Sequence, residues 1–184
     1  MLKRIVKMLG LLIFLTSCSQ SLMYSPMNKH RLSGNYLLKK FNYNLSNNSV
    51  SKNNQLKVKT DKEESFTEIE KDIDVYFTEG LSAELNVSGL MYDWQSTKII
   101  TGSIEKLLVD KSNEKLSVEI TVVYKITENG KEIDKYQNKI VKKLRDGITI
   151  GKEDYNGILQ ETVKLSIDDY CKRLSDKKFL SEVK

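Results

Sequence analysis

The stretch that most constrains the fold is Leu116 to Thr127, "LSVEITVVYKIT", followed at once by Glu128, Asn129 and Gly130. Leu116, Val118, Ile120, Val122, Tyr124 and Ile126 fall on one side of an extended chain, with Ser117, Glu119, Thr121 and Lys125 on the other. Alternation of this kind has the two-residue period of a strand with one buried face. Asn-Gly supplies the two positive-φ residues of a tight type I′ turn, so the spacing predicts a hairpin. The return segment, from about Lys131 to Leu144, then creates a conflict. A plain two-residue turn sets Ile133 opposite Ile126 and Val141 opposite Val118, which brings Lys135, Gln137 and Lys139 onto the same face. Lysines rarely line a core, so the expectation is a bulge or an exposed, edge-like strand.

Other elements gather around this hairpin. "KIITGSIEKLLV" (98–109) reads as a strand of less regular alternation. "NYLLKKFNY" (35–43) reads as a first strand that directs Tyr36, Leu38 and either Phe41 or Tyr43 inward after a local irregularity. The Asn- and Ser-rich stretch 44–54 predicts a loop, with "QLKVK" a short edge strand behind it. "SFTE" at 65–68 has the form of a capping box. From there Phe66, Ile69, Ile73, Tyr76, Phe77, Leu81 and Leu85 recur at helical spacing and stop near Asn86, before Gly89. Gly80 falls on the apolar side, where a missing side chain favours close packing on a sheet. A second helix, 153–175, has Tyr155, Leu159, Val163, Ser166, Ile167, Tyr170 and Leu174 as its inner stripe. The order β-α-β-β-β-α predicts an α+β fold: a two-layer sandwich with a mostly antiparallel sheet of about four strands packed against two helices. That single domain spans 34–176, and a polar tail follows at 177–184.

The front end carries a different kind of signal. Lys3, Arg4 and Lys7 precede an apolar run from Met8 to Leu15, and Thr16 and Ser17 lead to Cys18. A cationic start, a short apolar core and a small-residue exit describe a secretory signal over residues 1–17. The run is too short to cross a bilayer, which takes roughly 20 residues. Three of the 30 basic residues and none of the 25 acidic ones lie in it, so the remainder carries 27 basic against 25 acidic residues. That small excess, without interleaved aromatics, gives no footprint for nucleic acid.

"LTSC" (15–18) resembles the lipobox of bacterial lipoproteins. The resemblance implies that Cys18 becomes a diacylglycerol thioether, with cleavage just before it and acylation of the new amino terminus. The thiol is the group whose thiolate alkylates readily, and two or three acyl chains anchor stably where one does not. Ser19, a residue other than Asp, implies by the same analogy transfer to the outer membrane. Residues 18–33, with the only proline, Pro26, and no apolar periodicity, read as a lipidated tether.

Catalytic chemistry finds few materials. His30 is the only histidine and falls in the tether, which removes histidine-based triads and His-rich zinc sites. There is no Gly-rich phosphate loop of the common spacings. Asp168 and Asp169 are adjacent on a helix and so point about 100° apart, a poor geometry for paired acid–base work. Cys171 lacks an intrachain partner once Cys18 is lipidated, and its helical setting predicts a buried small hydrophobe. The expectation is a protein that is not an enzyme and holds no cofactor or metal. Two features suit binding. "KIVKKLR" carries Lys139, Lys142, Lys143 and Arg145, a cluster for lipid phosphates or an acidic partner surface, or simply a solvated strand end. "GLMYDWQ" carries Met91, Tyr92 and the only tryptophan, Trp94, which either anchors an interface or folds back to cap the core.

The succession of lipobox, first strand ending in "FNY", amphipathic helix, "ITGSIEKLLV", long hairpin and closing helix looks like the small outer-membrane lipoproteins of envelope transport. These are the LPS-assembly lipoprotein and the ABC-transporter auxiliary lipoproteins, whose "L-x-G-x-I" strand core Gly102 and Ile104 match. The resemblance implies a non-enzymatic, periplasm-facing protein, lipid-anchored to the outer membrane. It would bind an envelope partner such as a β-barrel or ABC-transporter component, and with it lipid or lipopolysaccharide. "CSQSL" departs from the glycine and aromatic or aliphatic residue common after the cysteine in LPS-assembly lipoproteins, and leaves the pathway open. The alternative is a surface-exposed lipoprotein that binds a host or environmental ligand.

Overall fold

The structure is a computed structural model that describes residues 22–43, 54–69, 71–112, 115–143 and 152–177. The leader 1–17, Cys18, Arg145 and the tail from 178 lie outside these residues, as does the expected loop except for Asn54. The strands are β1 (Asn35–Leu38), β2 (Asn42–Tyr43), β3 (Gln55–Thr60), β4 (Glu64–Glu68), β5 (Met91–Tyr92), β6 (Lys98–Ser112), β7 (Lys115–Glu128) and β8 (Lys131–Lys143). Two helices join them, α1 (Ile73–Val87) after β4 and α2 (Lys152–Lys177) at the end.

β7 and β8 form the expected hairpin. Asn129 and Gly130 take φ of 51° and 79°, as a type I′ turn requires. The conflict in the return strand is resolved by both proposed devices at once. Pairing shifts between Ile126 and Thr127, which face Asp134 and Glu132, so Ile133 is the extra residue of a bulge. That one residue reverses the alternation. Tyr136, Asn138 and Ile140 now share the face of Tyr124, Val122 and Ile120, while Lys135, Gln137, Lys139 and Val141 turn to the open face. Among the described residues β8 pairs with β7 alone and is an edge. A second bulge at Glu105 explains why β6 alternates poorly. Ile100 and Ile104 before it, and Leu107 and Val109 after it, all reach the core.

The sheet itself corrects the sequence expectation. It has eight strands among the described residues, not about four, and four of its seven pairings are parallel rather than mostly antiparallel. The cause is the length of β6, fifteen residues with two long edges. β7 takes one edge. Along the other, β1 lies beside Ile99–Ile100, β2 beside Ser103–Ile104 and β3 beside Leu108–Lys111, all parallel to it. A parallel neighbour needs a crossover, and α1 supplies it between β4 and β5. "QLKVKT" is therefore not an edge, because β4 pairs along its other side. "SFTE" does not cap a helix either: it belongs to β4, with Ser65 opposite Val58 and Phe66 opposite Lys57. Local capping competes with ladder bonds for the same amides, and here the tertiary pairing wins. Helix α1 starts seven residues later than Phe66, at Ile73.

Both helices cover one face of the sheet. Phe41 packs on Phe77 at 5.1 Å and on Tyr124 at 5.6 Å between ring centroids. Gly102 makes the room: a Cβ there would lie 2.4 Å from the Phe41 ring and 2.1 Å from the carbonyl oxygen of Val123. The helix-facing side of β8 is polar yet satisfied. Asn138 Nδ2 donates to the Ser166 carbonyl at 2.9 Å, the Tyr136 hydroxyl donates to Asp169 at 2.5 Å, and Arg173 grips Asp134 through Nε and Nη2. Burial, then the bond to Asp169, pushes the Tyr136 phenol up to about 12. These bonds, with Tyr136 and Ile140 packed against the core, fasten the edge strand to α2, and the bulge at Ile133 and the lysines along β8 disfavour the addition of a further strand.

Candidate functional site

The molecule has an upper and a lower end. Lys98 of β6 pairs with Glu128 of β7 beside the Asn129–Gly130 turn, which defines the upper end. Ser112 and Lys115 pair at the lower end, where β8 also finishes, Ser117 facing Lys143. Both helices climb from lower to upper. On α2, Glu161 meets Lys142 and Arg173 meets Asp134. On α1, Thr78 Oγ1 accepts the Phe41 N–H and Asn86 accepts the Tyr36 hydroxyl.

The upper end exposes an aromatic group on a fixed frame. Gly89, at φ 104°, turns the chain out of α1, an angle that only glycine takes without strain. Leu90 is buried, and β5 then lies against β1, with the Met91 N–H donating to the Gly34 carbonyl and the Asp93 N–H to that of Tyr36. The Asp93 carboxylate accepts the Gln95 N–H at 2.8 Å, its carbonyl accepts the Ser96 N–H, and the Thr97 carbonyl accepts the Asn129 N–H from the hairpin turn. The Tyr92 ring sits edge-on to Tyr36 at 6.0 Å. On this frame Trp94 is 72% exposed, Met91 65% and Tyr92 55%. The tryptophan does not fold back over the core. Exposed apolar groups held on a rigid frame are what an interface anchor needs.

The basic residues do not join it. Alternation along β8 sends Lys139 and Lys143 to the open face and Lys142 to the helix face. Lys139 and Lys106 both lie 3.0 Å from Glu119, and Lys142 lies 3.0 Å from Glu161. Burial pushes the Glu119 carboxyl upward, but the bonds from Lys106 and Lys139 outweigh it and hold the group below its usual range. Lys142 and Lys143 lie at the far end of a strand of thirteen residues from Trp94, about 40 Å away at ~3.3 Å per residue.

The groove between the helices holds a second arrangement, one that the sequence pattern concealed. Residues 22–33, expected as a tether, lie in it as a strap. Leu22 is buried with the core. The Tyr24 ring occupies the space left by Gly80, where a Cβ would stand 2.6 Å from it. Gly80 does permit close packing, but against this strap and not against the sheet. Glu84 is 0% exposed and accepts three bonds: from the Tyr24 hydroxyl at 3.1 Å and from the Met27 and Asn28 N–H groups at 2.7 Å. Burial, then Glu84, pushes the Tyr24 phenol well above its ordinary value. Lys29 and His30 reach Asp168 at 3.3 and 2.9 Å, and the Leu32 N–H meets the Ser88 carbonyl. Asp168 thus holds the strap while Asp169 holds β8, as their angular separation on the helix requires. Cys171 is buried, and burial, then Glu84 and Asp168, raises its thiol far above the range of a reactive cysteine. The signal for the latch lay in α1, where a glycine and a carboxylate, Gly80 and Glu84, interrupt an otherwise apolar stripe.

No family model matches the chain, and no curated protein matches its sequence. Solved structures do share its fold. XCC0632 from Xanthomonas campestris, a DUF330 protein, superposes with a TM-score of 0.65 at 8% identity, over 84% of this chain and 91% of its own. An uncharacterized protein gives 0.52 at 10% identity over 83% and 96%. Protein CT253 from Chlamydia trachomatis gives 0.50 at 11% identity over 78% and 96%. At such identities the likeness is one of fold.

Proposed function

We propose that the chain is a lipid-anchored, non-catalytic accessory protein of the bacterial cell envelope. It serves envelope assembly or lipid transport, is held through Cys18 at the periplasmic side of the outer membrane, and presents its upper end to a membrane-protein partner such as a β-barrel or ABC-transporter component. The observation that carries this reading is "LTSC" at 15–18, which ends a signal-like run on a cysteine four residues before Leu22, the first buried side chain among the described residues. Among the described residues no helix is long and apolar enough to cross a membrane, and a lipid anchor supplies attachment without one. Met91, Tyr92 and Trp94 support the choice of contact surface, because they are exposed on a fixed loop while Lys139 and Lys142 are engaged in ion pairs.

Metabolic labelling with palmitate tests the anchor. The wild-type chain takes up label and fractionates with membranes, and Cys18→Ala loses both; an unlabelled wild type overturns the reading. A photo-crosslinking residue at Trp94 in intact cells tests the partner. Capture of a β-barrel or transporter subunit supports it, and crosslinks to lipid alone contradict it.

A further inference from the structure

Resting on the Cys18 anchor proposed above, we infer that the strap is a latched leash that stands the fold upright on the bilayer. The lower end faces lipid, and the Met91–Tyr92–Trp94 end points away.

Two observations carry this. The first is the strap's direction. Its contacts climb both helices in step: Tyr24 at Gly80, Met27 and Asn28 at Glu84, Leu32 at Ser88 on α1, then Tyr24 beside Lys164 and His30 at Asp168 on α2. The chain therefore runs upward through the groove from about mid-height, with residue 22 on the lower side, and reaches the upper end only at β1. The second is its length. Cys18 precedes the buried Leu22 by four residues, which span at most about 14 Å in any conformation. A free segment of residues 18–33 would reach about 50 Å and would let the domain tumble above the membrane. The latch removes most of that reach. Glu84 is the fastening point, because it bonds three groups of the strap at once, and Gly80 provides the seat for Tyr24.

The upright posture has a consequence for recognition. Trp94 and Lys111 lie near opposite ends of the long strands, β6 running from Lys98 to Ser112 between them. A partner that meets the upper end does so at a fixed height, roughly 40 Å above the lower end, so a β-barrel would be met on a periplasmic extension and not on its membrane-embedded wall. An exposed tryptophan close to lipid would insert at the interface; held at that height it stays available to protein.

The lone tryptophan makes the posture measurable. Full-length protein extracted from bacterial membranes is reconstituted into phosphatidylethanolamine–phosphatidylglycerol vesicles doped with dansyl-phosphatidylethanolamine, and intact mass first establishes acylation. Energy transfer from tryptophan to dansyl is then compared between wild type and the Lys111→Trp, Trp94→Phe variant. The upright posture gives transfer about threefold or more stronger from position 111, given the ~40 Å between the two positions. In a Glu84→Gln background, acylation and membrane fractionation persist while the ratio falls toward one. Gly80→Ala, which displaces Tyr24, gives the same fall by a different route. Acylated protein with equal transfer from both positions, or with stronger transfer from Trp94, overturns the leash alone. Missing acyl chains overturn the anchor and the leash together.

Discussion

In the groove between the helices the chain hides a carboxylate, while at the upper end of the sheet it shows its only tryptophan to solvent. Glu84 has no exposed surface and Trp94 is 72% exposed, the reverse of what these side chains do in most folds. Each inversion has its own physics. A buried carboxylate is tolerable when hydrogen bonds replace its lost water, and Glu84 has three from the strap. An exposed indole forgoes the free energy of burial, and nothing in the fold returns it. The groove is therefore explained by the folded chain alone, whereas the exposure at the upper end is accounted for only if the proposed contact with another molecule is made there.

The strongest way to break that comparison is to remove the carboxylate. Glu84→Ala leaves the Tyr24 hydroxyl and two strap amides without their acceptor, and should lower unfolding stability by about 3 kcal/mol, since bonds to a charged group contribute ~1.5–3 kcal/mol each and the freed strap recovers part in water. The check is a lower urea midpoint at unchanged slope, together with tryptic cleavage at Lys29 and Arg31 appearing before global unfolding. A loss under about 1 kcal/mol would mean that the strap rests on its apolar contacts and that Glu84 is no latch.

A smaller effect, with a change of sign, tests the seat beside it. Alanine in place of glycine inside a helix normally gains about 1 kcal/mol. At Gly80 the new methyl would meet the Tyr24 ring at 2.6 Å, so Gly80→Ala should instead cost about 1–2 kcal/mol. In a Tyr24→Ala background the clash is gone and the same substitution should stabilise by ~0.5–1 kcal/mol. A double-mutant cycle in urea reads the difference, and additivity of the two changes would place Tyr24 away from Gly80.

These residues also show how far the sequence could be read. The alternation of β7 and the Asn129–Gly130 turn are local and were legible in full. The bulge at Ile133 was visible as a contradiction, because no straight register could reconcile Ile133 and Val141 with Lys135, Gln137 and Lys139. The apolar stripes of both helices survived, though α1 begins at Ile73 and not at the Ser65 box. What escaped is everything set by a distant partner. β3 and β4 are short and polar, and only β6 tells Leu56 and Val58 which way to face. Parallel pairing leaves no turn signal, since the crossover joins strands far apart in sequence. The strap escaped because "LMYSPMNKH" has no period of its own; its order comes from Gly80 and Glu84, more than fifty residues away. At the site, the sequence left open whether Trp94 caps the core or stands free, which only the bonds of its loop to β1 decide, and Lys142 and Lys143 sit at the other end of the molecule.

The smallest expected effect is the most telling. Trp94→Ala should change unfolding stability by less than ~0.5 kcal/mol, where truncating a buried tryptophan costs about 3–5 kcal/mol. The loop keeps its shape without the indole, because the bonds that fix it are made by backbone groups and by the Asp93 carboxylate: Asp93 N–H to Tyr36, Gln95 N–H to Asp93 and Ser96 N–H to Asp93. The same variant should lose crosslinking and co-purification with the envelope partner, and acrylamide should quench the wild-type fluorescence as it would a free indole until that partner is added. A stability loss above about 1 kcal/mol would show that the ring packs on the fold after all, and the contrast with Glu84 would collapse. Unchanged stability with unchanged partner capture would leave the contrast standing but move the contact elsewhere on the upper end. The two readouts together separate a side chain kept for the fold from one kept for another molecule.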